Sequence, residues 1–94
     1  MAEVAPAAEV GQIDVTVRYF AAARAAAGIE IEPLRIPAGM TVSGLVEQLG
    51  TGRAPLAKVL ARCSFLRDGV AVRNLDEALE TNQTVDVLPP FAGG

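Results

Sequence analysis

The sequence predicts a single α+β domain in which one mixed sheet of about five strands carries one main helix across one face. Apolar residues alternate with period two in several short runs, and in one run between them they recur at helical spacing. The chain has 94 residues, of which 51% are hydrophobic and 20% charged. This length fits one domain, and this ratio is typical of a globular chain.

The first half of the chain contains two strand patterns separated by an alanine-rich stretch. Residues 13–20, IDVTVRYF, alternate apolar and polar side chains and predict a half-buried strand. The following AAARAAAG favours a short helix, and Gly28 is suited to end it in a left-handed conformation. IEIEPLRIP at 29–37 predicts a second strand. Because Pro33 lacks an N–H, this strand belongs at a sheet edge or contains a bulge.

The middle of the chain predicts two helices and a hairpin. TVSGLVEQL at 41–49 begins with a capping threonine and has apolar residues at i, i+3, i+4 and i+7, so it predicts the main helix. Pro55 opens a second helical pattern that runs to Cys63 and directs this cysteine towards the core. Asp68-Gly69 in SFLRDGVAVR predicts a two-residue hairpin turn.

The last strand pattern, QTVDVLPP at 83–90, determines the predicted topology. Residues 74–83 before it predict a turn of helix and a loop. Because a long crossover through the main helix separates the first and last strands, the two can pair in parallel in the middle of the sheet. This is the β-grasp arrangement. We expect a flexible leader at 1–12, the β-grasp domain at 13–88 and an extended tail at 89–94.

The end of the chain, PPFAGG, predicts a segment built to enter a partner. Pro89 and Pro90 cannot continue strand pairing and favour an extended path, which reaches roughly 20 Å by Gly94. Gly93 and Gly94 have no side chains to block a narrow cleft. The terminal carboxylate is a poor electrophile, so acyl transfer needs activation, for example by ATP as an acyl-adenylate. Sulfur would then give a thiocarboxylate, and a lysine amine would give a conjugate.

Composition argues against several functional classes. The single cysteine, Cys63, and the absence of histidine rule out a disulfide framework, a zinc cluster and a Cys/His dyad within the chain. We therefore expect no metal site, no bound cofactor and no independent enzyme. The net charge of −3 without a basic stripe argues against nucleic acid and membrane partners. The N-terminus lacks a signal peptide pattern, so we expect a cytoplasmic protein.

Four stretches, VRYFAAARAAAG, TVSGLVEQL, SFLRDG and VLPPFAGG, resemble the small subunits of molybdopterin synthase, which are ubiquitin-like sulfur carriers. The resemblance runs from about Ile13 to Gly94. It implies that an E1-like adenylyltransferase consumes ATP to adenylate Gly94 and that a sulfurtransferase system makes the thiocarboxylate. It also implies that the tail enters a large subunit, which supplies the catalytic residues, and donates the sulfur of the molybdopterin dithiolene. The two subunits would form a heterotetramer.

The resemblance also suggests residues that contact the partners. Phe91 and Ala92 precede the terminal pair Gly93-Gly94, and we expect a docking role for Phe91. Phe20, Phe65 and Leu88 are expected on the sheet face opposite the core, which would place Leu66 in the core and leave an exposed apolar patch. The pattern equally allows that they only cover the second sheet face. The predicted partner-binding residues are Phe20, Phe65, Leu88, Pro89, Pro90, Phe91 and Ala92.

Two other functions stay open. One is a sulfur carrier for thiamine or cysteine biosynthesis, although the alanine-rich insertion and the PPFAGG end favour the molybdopterin branch. The other is a ubiquitin-like protein modifier or a non-covalent adaptor. A modifier would carry Gly94 in isopeptide linkage to lysines, whereas an adaptor would keep its activity without Gly93 and Gly94.

Overall fold

The structure, a computed structural model, describes residues 11–90, which form a five-stranded mixed sheet and three helices. Residues 1–10 and 91–94 lie outside the described residues, and most of the expected leader and tail falls there. The first strand begins one residue earlier than predicted. In chain order the elements are β1 (Gln12–Tyr19), α1 (Ala21–Ala27), β2 (Ile31–Pro37), α2 (Val42–Gly50), α3 (Ala54–Leu60), β3 (Ser64–Arg67), β4 (Val70–Ala71) and β5 (Gln83–Leu88).

The strand order in the sheet is β2-β1-β5-β3-β4. The central strands β1 and β5 pair in parallel, and every other neighbouring pair is antiparallel. The crossover between β1 and β5 passes through all three helices, of which α2 is the longest. This topology confirms the predicted β-grasp arrangement.

The core lies between the inner face of the sheet and the helices. The alternation of β1 correctly predicts its buried face, because Val17 is 0% and Tyr19 1% exposed. Leu45 of α2 and Leu56 of α3 are also fully buried in this core. The buried hydrophobic residues are Val15, Val17, Tyr19, Ala23, Ile36, Val42, Leu45, Leu49, Leu56, Leu60, Phe65, Leu79, Val85 and Val87.

The start of α2 is capped by its own threonine and by a distant loop. Thr41 Oγ1 accepts a hydrogen bond from Gly44 N at 3.0 Å, as the sequence predicts. The N–H of Val42 donates to the carbonyl of Glu77 at 3.0 Å. Residues 74–80 form turns and a bridge rather than the predicted turn of helix. Their carbonyls instead satisfy helix N–H groups that would otherwise lack partners.

The prolines of β2 lie on an edge strand, which confirms the prediction from Pro33. The N–H of Tyr19 donates to the carbonyl of Glu30 at 2.9 Å. Because hydrogen-bonded pairs alternate along antiparallel strands, Pro33 and Pro37 occupy positions whose backbone faces away from β1. They therefore cost the sheet no hydrogen bond and remove donors from its open edge, which discourages pairing with another chain.

The hairpin between β3 and β4 turns at the predicted dipeptide. Asp68 and Gly69 both have positive φ, 50° and 83°, as a two-residue hairpin turn requires. The Asp68 carboxylate accepts a hydrogen bond from Thr84 N, and the Asp68 N–H donates to the Thr84 carbonyl, both at 2.8 Å. These bonds attach the turn to β5.

Candidate functional site

The predicted tail begins at the end of β5, beside the end of β1. The N–H of Phe20 donates to the carbonyl of Val87 at 3.2 Å, so the chain leaves the sheet next to Phe20. Pro89 is still buried and Pro90 is exposed, so the packed body extends one residue into the predicted tail. Residues 91–94, which include both predicted reacting glycines and the predicted contacts Phe91 and Ala92, lie outside the described residues.

The predicted exposure of Phe65 is wrong. Phe65 is 6% exposed and lies directly opposite the buried Val87, so it faces the core. Leu66 is half-buried and lies opposite Asp86, on the outer face. Alternation alone did not distinguish the two positions because SFLR has adjacent apolar residues. The pairing of β3 with β5 determines which of them enters the core.

Three apolar side chains remain on the outer face near the root of the tail. Phe20 is 36% exposed, and Leu88 and Leu66 are half-buried. The parallel register that pairs Tyr19 with Val87 brings Phe20 beside Leu88 on the outer face. We call Phe20, Leu66 and Leu88 the outer patch. The partner-binding role of Phe20 and Leu88 stays a prediction.

An ion pair that sequence reasoning missed lies within the outer patch. Arg18 Nε donates to Asp86 Oδ1 at 2.6 Å, and Arg18 Nη2 donates to Asp86 Oδ2 at 2.9 Å. The Asp86 hydrogen bond and charge raise the pKa of Arg18. The guanidinium also lies 5.7 Å from the centre of the Phe20 ring. Arg18 lies two residues before Phe20 in β1, and Asp86 lies two residues before Leu88 in β5. Because side chains two residues apart in a strand share a face, alternation could have predicted that all four lie on the outer face.

A second polar cluster connects the inner face to the loop before α3. Tyr19 Oη donates to Glu32 Oε1 at 2.7 Å, and Arg53 Nη2 donates to Glu32 Oε2 at 3.1 Å. Burial, followed by the hydrogen bond to Glu32, raises the pKa of Tyr19 to about 12. The cluster gives the buried Tyr19 hydroxyl a hydrogen-bond partner and links β2 to the α2–α3 loop. We therefore assign it a stabilising role.

Cys63 is half-buried, and its Sγ lies 3.2 Å from the carbonyl oxygen of Val59. Burial raises the pKa of the Cys63 thiol. A raised pKa disfavours the nucleophilic thiolate. Cys63 was predicted to point towards the core as a small apolar residue, and the structure packs it, partly buried, against the core.

A groove lies beside the root of the tail, between α1 and the end of α3. Its volume is about 560 Å³. Two cations, Lys58 and Arg62, line it together with small apolar side chains, and within residues 11–90 no carboxylate is among the lining residues. We call it the tail-root groove, and its lining residues are Ala22, Lys58, Val59, Ala61, Arg62, Pro89 and Pro90.

Neither a metal site nor a membrane-spanning helix occurs in the described part of the chain. Residues 11–90 contain no group of three or more histidine, cysteine, aspartate or glutamate side chains that could hold a metal ion. Within the same residues, no helix has the length and hydrophobicity to cross a membrane. The outer patch and the tail-root groove both lie near the root of the predicted tail.

Comparisons with known proteins identify relatives along nearly the whole chain. The model of the ThiS family matches residues 17–94. The molybdopterin synthase sulfur carrier subunit of Chlamydomonas reinhardtii is 30% identical over 83 residues, which cover 87% of this chain and 100% of that protein. A putative molybdopterin converting factor, subunit 1, from Pyrococcus furiosus has a TM-score of 0.75 at 28% identity, covering 84% of this chain and 99% of that one. Small archaeal modifier protein 1 from Methanosarcina acetivorans has a TM-score of 0.74 at 25% identity, with coverages of 88% and 98%.

Proposed function

The chain belongs to the ThiS family, and on this basis we propose that it is a sulfur carrier whose reacting atom is the carboxyl carbon of Gly94. One observation carries the proposal: the family match extends to the last residue and so includes Gly93-Gly94. A free carboxylate resists attack by a nucleophile, and activation overcomes this resistance. The glycines leave the reacting carbon open to an enzyme that must approach it closely.

The proposed chemistry has two steps on the carrier. A carboxylate oxygen of Gly94 attacks the α-phosphorus of ATP, forming the acyl-adenylate and releasing pyrophosphate. Sulfide, or a sulfurtransferase that delivers sulfur at the same oxidation level, then attacks the acyl carbon. The new C–S bond replaces the C–O bond to AMP, and AMP leaves. An adenylyltransferase partner supplies the ATP site, and this chain supplies the acyl group.

We further propose that the acceptor is the precursor of molybdopterin. The relative from Chlamydomonas reinhardtii, whose whole length matches this chain, is a molybdopterin synthase sulfur carrier subunit. A large subunit would then bind the thiocarboxylate tail, provide the catalytic residues and transfer the sulfur into the dithiolene. In this assignment the chain is the sulfur-donating small subunit of a heterotetramer and acts in the cytoplasm.

The described surface supports the docking that this function requires. The outer patch lies at the same end of the sheet as Pro90, so a partner that takes the tail can also cover Phe20 and Leu88. From Phe91, four residues span at most about 13 Å. The acceptor cleft must therefore open close to the body of the carrier, and body contacts and tail insertion would occur together.

Intact mass measures the proposed product directly. The chain is incubated with ATP, an E1-like adenylyltransferase and sulfide, and the exchange of one terminal oxygen for sulfur is expected to add about 16 Da. Alkylation mapped to Gly94 separates this product from oxidation of methionine or Cys63. An unchanged terminus in the presence of an active adenylyltransferase would overturn the proposal.

A matched pair of extended chains tests the free carboxylate. One additional residue after Gly94 is expected to abolish the mass change, because it replaces the reacting carboxyl by an amide. One additional residue at the N-terminus adds the same mass and should leave the reaction intact. Full activity of the C-terminally extended chain would exclude Gly94 as the reacting residue.

The second candidate function is protein modification. The similarity to the small archaeal modifier protein of Methanosarcina acetivorans favours a modifier over a non-covalent adaptor. In that case the activated Gly94 acylates a lysine amine rather than sulfur. The sequence contains a single lysine, Lys58. If copies of this protein were linked to one another through isopeptide bonds, Lys58 would be the acceptor. Peptides with Gly94 bound to a lysine of another protein would favour this candidate.

A further inference from the structure

The tail-root groove has the shape and charge to bind the end of its own chain. It is within the size range of small-ligand sites, and Pro90, the last described residue, lines it. Phe91 follows Pro90 directly in the sequence. We propose that, when no partner holds the tail, the Phe91 ring packs into the tail-root groove while the Gly94 carboxylate pairs with Lys58 and Arg62.

The positive charge of the groove favours a negatively charged ligand. Lys58 and Arg62 are both exposed in a chain whose net charge is −3, and no carboxylate of the described residues shares the lining with them. The Gly94 carboxylate is ionised at neutral pH. It is joined to Pro90 by four residues that extend to about 13 Å, and two of them are glycines that permit the chain to reverse.

The apolar part of the groove matches the one aromatic residue of the tail. Val59 is half-buried, and it shares the lining with Ala22 and Ala61, which leave space above the helix surfaces. A phenyl ring placed there would remove apolar surface from water on both sides. Among residues 91–94, Phe91 has the only large side chain and is the first to follow Pro90 in the sequence.

Tethering favours the tail over any free ligand. A short tether holds a segment near its site at an effective concentration in the millimolar range, so weak contacts can populate the docked form. Exposed ion pairs contribute little each, so a partner cleft can still displace the tail. The groove would then hold the reacting end close to the body until a partner binds it.

Nuclear Overhauser effects in the isolated full-length chain test this docking. Phenylalanine rings and valine and alanine methyl groups are labelled selectively, and a Phe91→Leu variant identifies the Phe91 signals among the three phenylalanines. We expect contacts from the Phe91 ring to the methyl groups of Val59 and Ala61. Their absence at low salt would overturn the proposal. Because no partner is needed, this result is independent of whether Gly94 is ever adenylated.

Charge variants test the contribution of the cations. The double variant Lys58→Gln/Arg62→Gln is expected to weaken the Phe91 contacts about two- to fivefold, as loss of exposed ion pairs would. Arg35→Gln, on the edge strand β2, is the matched control and should leave them unchanged. Equal contact intensities in all three proteins would refute the pairing of Gly94 with these cations.

A measurement on the wild-type chain covers the case in which the double variant misfolds. The carboxyl carbon of ¹³C-labelled Gly94 is titrated, and ion pairing is expected to hold its pKa below the reference of about 3.5. Salt at about 1 M should return the pKa towards that reference, because screening weakens exposed pairs. A pKa at the reference value and independent of salt would contradict the proposal.

Discussion

On the inner face of the sheet, Val17, Val85 and Val87 are all 0% exposed, whereas on the outer face Phe20 is 36% exposed beside an ion pair. The inner face packs against three helices, so its side chains are selected for volume and burial. No helix covers the outer face within residues 11–90. Its mixture of apolar and charged groups is the surface that we propose a partner covers when it takes the tail. Under the proposed function, the inner face would serve stability and the outer face recognition.

The adjacent residues Phe65 and Leu66 give the largest expected contrast between the faces. Phe65→Ala is expected to lower the free energy of unfolding by about 3–5 kcal/mol, because it opens a cavity in the core. Leu66→Ala should cost about 1 kcal/mol, since the side chain is only half-buried. Urea denaturation of both variants measures the difference. Equal losses would show that the β3 register is not the one described.

Tyr19 is the titratable exception on the apolar inner face. Its folded pKa of about 12 exceeds the unfolded value of about 10, so the folded state holds the phenol proton more tightly. The resulting stabilisation is complete below pH 10 and is lost as the pH rises to 12, by roughly 2 kcal/mol. Ultraviolet absorbance follows this group directly because the chain has one tyrosine.

Tyr19→Phe is the control for the alkaline measurement. It removes the phenol and its hydrogen bond to Glu32, so the variant is less stable at neutral pH. Its stability should then depend less on pH between 10 and 12 than that of the wild type. Phenolate absorbance that rises near pH 10 in the folded wild type would contradict the burial and bonding of Tyr19.

The ion pair tests whether the outer face contributes to stability. Asp86→Asn is expected to lower the free energy of unfolding by about 1–2 kcal/mol, because the buried carboxylate bonds Arg18 through both oxygens. Asp14→Asn is the matched control. Asp14 pairs with Arg35 at 3.2 Å, but both side chains are well exposed, so we expect less than about 0.5 kcal/mol. A cost of Asp86→Asn no larger than that of the control would remove this pair from the stabilising contacts.

Substitution of Phe20 has the smallest expected effect on stability and tests whether this residue contributes to partner binding. Phe20→Ser should change the free energy of unfolding by less than about 0.5 kcal/mol, as expected for exposed side chains. It should weaken binding to the adenylyltransferase, measured by calorimetry, by at least about tenfold if Phe20 anchors the contact. Val70→Ser, which alters a side chain that is 69% exposed in β4, is the control. Unchanged binding by Phe20→Ser would remove Phe20 from the docking surface.

Local signals in the sequence predicted much of the fold. The alternation in residues 13–20 identified the buried face of β1, and Asp68-Gly69 identified the hairpin turn. Pro33 correctly indicated an edge strand. Each of these signals depends on neighbouring residues or on a backbone conformation that few residue types adopt. The predicted turn of helix within 74–83 failed because those backbone groups bond to the distant start of α2 instead.

Residues of the candidate site that local patterns determine were predicted correctly, and those that depend on distant contacts were not. Phe20 was correctly placed on the outer face because it continues the alternation of β1. Phe65 was placed on the wrong face, because Phe65 and Leu66 are both apolar and the alternation does not show which of them is buried. The pairing of β3 with β5 determines that Phe65 faces the core. Pro89 was expected to leave the body but is buried, which depends on the helices that pack beside it. The roles of Gly93 and Gly94 stay predictions, since both lie outside the described residues.

The fold class, the edge strand and the hairpin turn could be predicted from local patterns in the chain, which also contains the terminal glycine pair. These follow from residue periodicity and from the conformational limits of glycine and proline. Folding was needed to place Leu66 on the outer face, to bond Arg18 to Asp86 across 68 positions, and to form a cationic groove beside Pro89 and Pro90. Such contacts depend on strand register and on helix packing, which bring together residues that share no local pattern.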